Sequence, residues 1–498
     1  MRILIDTNII IPLEDSTQVL DESLSQLIRL TSEYNHQVLI HPLSAEDIGR
    51  DKVESRKKSI LSRFEKYPYL EEPPLFSEKE VLDFNIEIRK DNDRIDNAML
   101  SAVYMSAVHW LVTEDRGIHK KAQQMGIRNK VFYIQQVVDA LKHLHPEKHE
   151  IRLPNLEISP LHRLDIEDVF FDSLREDYIG FNEWFDEKSR EGRKAQIATN
   201  DTGELSAILI YKEEDGEIIT SDQRGLGAKS LKLSTFKVSE KVRGQKIGEL
   251  FLKSAFEYAR KNNCKYVYLT VHPEKHEFLQ DLCKDFGFNE FGKDIKSHRD
   301  LILVKQVGYG IFDLDISAFE FHRLYSPSFI CDNVSKYIIP IKPQYHEVLF
   351  PDKQRQASLF SVNKAAGNTI KKAYLSHSNL SHMNSGDLVL FYRSHDLQSV
   401  TTLAIVEKFF ISDDSDLIAG EVAKRTVYSF RDIDEMSVKP TKVILFRQVF
   451  HLNDGISLKW LLENGIVNGN IQSITRIEDQ KFRRILMKGT NETCVDVH

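Results

Sequence analysis

The sequence predicts a multidomain protein of mixed α/β and α+β class, and three observations lead to this prediction. The chain has 498 residues, which at roughly 150 residues per domain corresponds to about three domains. Helix and strand patterns alternate up to about Gly310, and short β-rich runs follow. The apolar fraction is 41% and the charged fraction 29%, close to globular averages, which excludes a disordered, collagen-like or coiled-coil chain.

The charge balance limits the partners that the whole surface can bind. Lys and Arg total 67 and Asp and Glu total 75, so the net charge is −8. A cationic coat for nucleic acid is therefore excluded, and any RNA contact must be local.

Cysteine usage and the apolar runs bear on the compartment. The four cysteines are too few and too scattered for a disulfide framework or a CxxC zinc site, which favours a reducing cytoplasm. The first residues contain Asp6 and lack the cationic start and apolar region of a signal peptide. No run approaches the length of a membrane span, so we expect a cytoplasmic protein without membrane contact.

The first segment alternates short apolar runs with a helical pattern. We predict a helix over Ala98–Trp110 and four strands of a parallel sheet, over Ile3–Ile5, Val38–Ile40, Leu111–Thr113 and Val131–Tyr133. Proline punctuation from His143 to Pro160 marks the first domain boundary.

Carboxylates stand at the ends of these elements. Asp6 and Asp115 each follow a strand, Asp96 is predicted at the head of a helix, and Glu46 or Asp47 opens another helix. Active sites of α/β folds lie at the carboxyl ends of the strands. Each Asp taken alone is also compatible with an ordinary helix cap.

Residues 1 to 140 resemble a PIN domain, through hydrophobic-Asp-Thr-Asn at the start, Asp-x-Ala-x-hydrophobic, and Val-Thr-x-Asp. The resemblance implies a parallel-sheet sandwich and a ribonuclease that uses Mg²⁺ or Mn²⁺. It implies metal ligation and catalysis by Asp6, Asp96 and Asp115, with Asp47 favoured as fourth ligand and Glu46 as alternate. Asn8 and Thr113 would orient the ligands or the phosphate. The basic run from Arg50 to Lys58 either contacts RNA or is a solvated helix face.

In the second segment a strand runs into a glycine-bearing turn that opens a helix. Strands are predicted over Leu205–Tyr211, Leu231–Val238 and Tyr266–Val271, and helices over Gly248–Asn262 and Glu277–Phe286. The turn carries Arg243-Gly244-Gln245-Lys246-Ile247-Gly248. Free N–H groups and the positive end of the helix dipole favour a pyrophosphate at such a turn, although an ordinary strand-to-helix connection looks the same.

Residues 157 to 305 resemble the GNAT acetyltransferases, whose motif is Arg or Gln, two residues, Gly, one residue, then Gly or Ala. Here Lys246 stands at the middle glycine position. The resemblance implies that acetyl-CoA is bound by strand residues Phe236, Lys237 and Val238 at the pantetheine arm, and by the turn from Arg243 through Gly244, Gln245, Lys246 and Ile247 to Gly248 at the pyrophosphate.

The catalytic groups of the second segment are not fixed by the sequence. The Tyr that commonly serves as the acid in this family is absent from Glu277–Phe286. His272, His276 or Cys283 could replace it, although Cys283 is better explained as a buried structural residue. The base and the acceptor amine are unassigned.

The third segment resembles the PUA-like group, including ASCH and EVE domains, from about residue 330 to 490. The resemblance depends on the Ser385-Gly386-Asp387 turn followed by an alternating strand, and it implies a small β-barrel that binds RNA or a modified base. Tyr374, Phe391, Tyr392 and Arg393 are candidates for stacking on a base, or they fill the barrel interior.

The predicted domains are therefore PIN-like at 1–145, GNAT at 155–308 and PUA-like at 320–490. Together they predict a bifunctional toxin-like or defence protein. Its ribonuclease and acyltransferase act on RNA, such as tRNA, or on translation components that the PUA-like domain selects, and an antitoxin or regulatory protein is the expected partner. Two alternatives stay open. Either the acetyltransferase is the only enzyme and the other segments are scaffolds, or the chain is a non-catalytic regulator that responds to acetyl-CoA.

Overall fold

The structure is a computed structural model. It describes residues 1–14, 21–48, 67–84, 86, 91–146, 156–199, 203–239, 246–307, 315–350, 369–423 and 425–490. No helix within these ranges combines the length and the apolar character needed to cross a membrane. The predicted mixed α/β class with several sheets is confirmed, because the described chain forms a four-stranded, a seven-stranded and a six-stranded sheet.

The first sheet is parallel, with strand order β2-β1-β3-β4. Its strands are β1 Arg2–Ile5, β2 Gln37–Ile40, β3 Trp110–Val112 and β4 Val131–Phe132. The helices around it are α1 Thr7–Glu14, α2 Glu22–Glu33, α3 Ser44–Ile48, α4 Glu78–Asp83, α5 Asp91–Tyr104, α6 Arg116–Gln124 and α7 Ile134–Leu144. The side chains of Ile3, Leu4 and Ile5 are fully buried, as expected for a central parallel strand covered on both faces.

Two sequence predictions in this segment were wrong in detail. Asp96 does not head its helix, because α5 begins five residues earlier at Asp91 and places Asp96 in the second turn. Trp110 is not helical: it begins β3 and is completely buried. The first turn of α5 is polar and has no periodic apolar residues. Apolar periodicity therefore predicts only the later, buried part of this helix.

The second sheet has seven strands in the order β10-β11-β9-β8-β7-β6-β5. They are β5 Leu156–Pro160, β6 Lys194–Thr199, β7 Leu205–Asp215, β8 Lys229–Val238, β9 Tyr266–Val271, β10 Asn289–Lys293 and β11 Leu301–Gln306. Four helices lie between these strands: α8 Asp172–Asp177, α9 Phe181–Arg190, α10 Ile247–Lys261 and α11 Glu277–Asp285.

The alternation of β7 sorts the side chains between two cores. Ile208 and Ile210 pack with the aromatic residues of α9 on one face, whereas Ala207 and Leu209 pack with α10 on the other. Successive side chains of a strand point to opposite faces, so this strand holds both helical layers.

β8 and β9 are paired in parallel, and the pairing is short. It runs from Ser230 opposite Tyr266 to Leu233 opposite Leu269. At that point the register of β7 with β8 shifts, so that Tyr211 lies opposite Leu233 and Ile210 opposite Thr235. A shift of this kind is a β-bulge, which bends a strand and increases its twist. Within the described residues, the rest of β8 pairs with β7 alone, so a wedge opens between β8 and β9.

The third sheet has the order β13-β16-β15-β14-β12-β17. Its strands are β12 Lys336–Ile341, β13 Lys371–Ser376, β14 Leu388–Arg393, β15 Ser399–Ser412, β16 Thr441–Ser457 and β17 Thr475–Ile477. The helices in this part of the sequence are α12 Ala318–Tyr325, α13 Pro343–Leu349, α14 Ser415–Val422, α15 Phe430–Ser437, α16 Leu458–Glu463 and α17 Asp479–Gly489. The Tyr374 hydroxyl of β13 donates to the Pro340 carbonyl of β12 at 2.8 Å, so the sheet curls.

The chain packs into two compact units. The first contains residues 1–151 and 412–441, so α14 and α15, which interrupt the third sheet in sequence, belong with the first sheet. The second contains residues 152–411 and 442–498 and therefore holds both larger sheets.

Candidate functional site

Within the described residues, α10 is the next helix after the wedge between β8 and β9. β8 ends at Val238, and α10 begins at Ile247 after a residue with a left-handed backbone, Lys246 at φ +60°. The first N–H groups of a helix have no partner inside the helix and attract anions. The turn residues Arg243, Gly244 and Gln245, predicted to hold a pyrophosphate, lie outside the described residues.

Lys246 occupies a backbone conformation that glycine adopts without strain. A side chain at φ +60° costs roughly 1 kcal/mol relative to glycine. The middle glycine of the motif therefore serves to allow the left-handed backbone at this position. This chain adopts that backbone conformation with a lysine.

Gly248 lies at a close contact between two helices and β8. A Cβ atom built on Gly248 would lie 2.9 Å from Cδ2 of Leu282 in α11 and 3.8 Å from the ring of Phe236. The glycine thus allows the first turn of α10 to approach α11, whatever it does for a ligand.

The predicted pantetheine residues divide between the two faces of β8. Phe236 packs edge-on to Phe251 of α10, with ring centroids 5.6 Å apart, and Val238 packs on the same face. Lys237 points to the opposite face, where its ammonium contacts the Phe170 carbonyl and donates to Ser173 Oγ at 2.7 Å. Burial lowers the pKa of Lys237. Lys237 therefore ties β8 to the segment before α9, and the strand backbone is what borders the wedge.

The loop from His272 to His276 follows β9 and precedes α11, at the open end of the wedge. The His272 N–H donates to Nδ1 of His276 at 3.3 Å. Because a backbone N–H can only donate, neutral His276 must carry its proton on Nε2. Burial lowers the pKa of His276, which favours this neutral form. The buried Gln280 supports the loop, donating to the Pro273 carbonyl at 2.8 Å.

The loops that contain Tyr178, His276 and Asp300 bring acidic and aromatic groups to the same end of the second sheet. The ring of Tyr178, just after α8, lies 6.5 Å from the ring of His276. Burial, with the nearby charges of Asp300 and Asp177, raises the pKa of Tyr178 to about 12. The three loops are distant in sequence, so no local sequence pattern predicts this grouping.

Cys283, the third candidate for the catalytic acid, is completely buried in the core between α10 and α11. Burial raises the pKa of its thiol. The described cysteines, Cys264, Cys283 and Cys331, are all buried. Cys283 is a core residue, in agreement with the structural interpretation.

In the first sheet, Asp6 is the centre of a hydrogen-bond network. Its carboxylate accepts from Thr113 Oγ1 at 2.6 Å and from Asn8 Nδ2 at 2.7 Å. Thr113 Oγ1 in turn accepts the Asp115 N–H at 2.9 Å. Burial, with the charge of Asp115 in addition, raises the pKa of Asp6. Asn8 and Thr113 therefore orient the Asp6 carboxylate.

The charges of Asp96 and Asp115 act on each other and on Asp6 at this edge of the sheet. Burial and the charges of Asp115 and Asp6 raise the pKa of Asp96 to about 6, although Lys121 opposes the shift with its ammonium 3.6 Å from Asp96 Oδ2. Asp115 Oδ1 accepts the Ile118 N–H at 3.0 Å and so also caps α6. Among the described side chains, no group of three acidic, His or Cys residues is placed to hold a metal ion.

The fourth carboxylate is not resolved between its two candidates. The side chain of Asp47 lies outside what the structure describes, as does the basic run from Arg50 to Lys58. Glu46 is exposed and pairs with Arg94 of α5.

The four proposed base-stacking residues of the third sheet have different surroundings. Phe391 packs against Phe350 and Phe446 at centroid distances of 5.0 and 4.8 Å. Tyr392 lies in the apolar core. The Arg393 guanidinium is buried and pairs with Asp396 and Glu347. With Tyr374 bonded to Pro340, these side chains fill the curled sheet.

Comparison with known proteins bears on the second sheet most directly. Residues 158–288 match the family described as the Acetyltransferase (GNAT) family, which is about a quarter of the chain. None of the curated proteins matches the chain.

Each of the similar solved structures covers about a third of the chain. A GNAT family acetyltransferase from Elizabethkingia anophelis with acetyl-CoA bound is 15% identical over 31% of this chain and 99% of its own, with a TM-score of 0.23. A GNAT family N-acetyltransferase from Escherichia coli in complex with CoA is 12% identical over 32% and 84%, with a TM-score of 0.23. The ASCH protein from Zymomonas mobilis is 13% identical over 30% and 92%, with a TM-score of 0.24. Scores this low bear on none of the functional conclusions.

Proposed function

We propose that the second sheet is an acetyl-CoA-dependent N-acyltransferase. The observation that carries the proposal is the wedge between β8 and β9 within a segment that matches the GNAT family. The backbone of Thr235–Val238 and the first turn of α10 border the wedge, and they suit an extended amide-containing arm that ends in a pyrophosphate.

When bound, acetyl-CoA supplies an acetyl thioester that an amine can attack. His276 assists by donation: Nδ1 already accepts the His272 N–H, so Nε2–H is the atom that stabilises negative charge developing on oxygen or sulfur. The same tautomer prevents Nε2 from taking a proton from the amine. We assign the base to none of the described residues.

The charge around Tyr178 favours a cationic acceptor. Asp177 and Asp300 both act on this tyrosine, and Asp177 pairs with Lys275. The stretch from Asp165 to Asp177 carries six acidic side chains, which outnumber Arg175 and Lys275. A field of this sign attracts a protonated amine and repels an anion.

Two measurements test this function. Acetyl-CoA should bind the full chain saturably in calorimetry, and release of the CoA thiol should be faster with spermidine than with neutral or anionic primary amines. An absence of saturable binding would overturn the proposed function. Faster release with the anionic amines would overturn the assignment of the acceptor alone.

We further propose a second candidate function, a PIN-type endoribonuclease at the edge of the first sheet. Its support is the network that joins Asp6, Thr113 and Asp115, together with the repulsion that Asp96 experiences from both other carboxylates. Oxygen ligands suit Mg²⁺ or Mn²⁺ chemically. The described side chains do not assemble three ligands, however, and Lys121 supplies the positive charge at Asp96, so we derive no catalytic step through a metal.

The nuclease proposal is tested with purified protein, total RNA and Mn²⁺ or Mg²⁺. Asp6→Asn and Asp96→Asn should abolish cleavage, whereas Asp83→Asn, a change of an exposed carboxylate in α4, should leave it unchanged. Equal cleavage by wild type and all three variants would overturn the nuclease assignment. RNA as target, an antitoxin as partner and base recognition by the third sheet belong to the same proposal.

A further inference from the structure

The acetyltransferase sheet and the third sheet share one compact unit, and their contact involves the helix that opens at the wedge. We propose that Glu249, at the third position of α10, positions this helix through β13, so that acetyl-CoA affinity depends on the third sheet. The inference deepens the proposed acyltransferase function and rests on it.

Glu249 is a buried carboxylate, 5% exposed, that accepts hydrogen bonds from main-chain N–H groups at the start of β13. Its Oε1 accepts the N–H of Ile370 at 2.7 Å and the N–H of Lys371 at 3.0 Å. Two N–H donors on one ionised oxygen form charge-assisted hydrogen bonds, which are roughly twice as strong as neutral ones. The first turn of α10 is thus fixed to the start of β13.

Further contacts hold α10 and α11 to the third sheet. Arg447 of β16 donates to the Asp285 carbonyl at 2.9 Å and to its carboxylate at 3.2 Å, at the end of α11, and Lys371 pairs with the same carboxylate. One turn along α10 from Glu249, Lys253 reaches Gln448 Oε1 at 3.5 Å. Both helices that flank the wedge are therefore anchored to β13 and β16.

The position of Glu249 makes this anchoring relevant to the ligand. A residue rises 1.5 Å along a helix, so Glu249 lies within one turn of the N–H groups that would face a pyrophosphate. If the carboxylate is removed, the N–H groups of Ile370 and Lys371 lose this acceptor and the first turn of α10 is free to shift. The expected effect is weaker ligand binding, because the N–H groups no longer point to one place.

The experiment compares full-length variants in acetyl-CoA calorimetry and in saturating thiol-release kinetics. Glu249→Ala should raise the acetyl-CoA dissociation constant about tenfold and leave kcat within about twofold, whereas Glu249→Gln, which keeps an acceptor oxygen, should stay within about threefold of wild type. Glu257→Ala, on the exposed side of the same helix, is the matched control and should change nothing. Should Glu249→Ala prove insoluble, Gln448→Ala loosens the same helix and should raise the dissociation constant about threefold.

The outcomes distinguish a failure of the Glu249 positioning role from a failure of the acyltransferase proposal. Wild-type protein that fails to bind acetyl-CoA would remove the acyltransferase proposal. Wild-type binding with an unchanged dissociation constant in Glu249→Ala, or in Gln448→Ala where that variant is used, would overturn the positioning role alone. A fall in kcat without a change in affinity would also overturn it.

Discussion

Gly248 and Leu282 are so close that a methyl group on Gly248 would force the Leu282 side chain to shift. A Cβ on Gly248 would lie 2.9 Å from Leu282 Cδ2, tighter than side-chain contacts ordinarily allow. The contact explains a glycine in the first turn of a helix, where glycine is otherwise unfavourable by about 1 kcal/mol relative to alanine.

Gly248→Ala should therefore destabilise the protein by about 1 kcal/mol or more, because overpacking outweighs the gain in helix propensity. In a Leu282→Ala background the same change should become neutral or stabilising, since the clash is gone. Denaturant unfolding of the four proteins gives the double-mutant cycle. Additive effects would show that the two residues do not interact.

The cycle also separates packing from ligand contact at Gly248. If the Gly248 position borders the bound pyrophosphate, acetyl-CoA binding should remain weakened in the Gly248→Ala, Leu282→Ala protein. Full recovery of affinity would mean that this glycine serves helix packing alone.

His276→Ala should lower kcat by about 10²-fold, because the Nε2–H donor is lost from the end of the wedge. The KM for acetyl-CoA should change less than kcat, since the strand backbone and α10 carry the binding. His276→Gln, which can place an N–H nearby, should recover part of the rate in thiol-release assays. The exposed His298→Ala is the control, and an equal loss in that variant would contradict the role.

Local sequence patterns were sufficient to predict the strands and helices that surround the wedge. β9 was predicted over Tyr266–Val271, the bounds it has. Burial could be argued for Cys283 because it lies in a helix with an apolar face. These properties depend on neighbours along the chain, and periodicity reports them directly.

Contacts between distant segments were beyond this kind of prediction. Asp300 and Tyr178 meet only because three loops end at one edge of the sheet. Glu249 carries no signal of its contact with β13, more than a hundred residues away. Gly248 was assigned to a ligand from a motif, whereas its close neighbour Leu282 becomes visible only after folding.

Acid should destabilise the protein through histidines that are buried neutral. Burial, with the charges of Arg447 and Lys305, lowers the pKa of His322 to about 3, from 6.5 when exposed. The unfolded state then binds the proton more readily, so stability is complete above about pH 6.5 and falls as pH drops from there towards 3. At pH 5 the loss from His322 is about 2 kcal/mol.

His322→Gln should flatten this pH dependence in guanidinium unfolding of the second unit, whereas the exposed His298→Gln should keep the wild-type slope. A His322→Gln protein that loses as much stability between pH 7.5 and pH 5 as wild type would contradict the assignment. Burial also lowers the pKa of His36 to about 3 and of His41 to about 4, so the first unit should show the same direction.

Trp110→Phe should loosen α14 within the first unit. The Trp110 indole N–H donates to the Gly420 carbonyl at 3.1 Å, and its ring is completely buried against Phe132. Removing the donor takes the indole hydrogen bond from a buried carbonyl and leaves a small cavity, at a cost of about 2–3 kcal/mol. Hydrogen exchange of Ser415–Val422 should accelerate in this variant and stay unchanged in Trp460→Phe. Unaltered protection in Trp110→Phe would show that other contacts hold α14 without the indole.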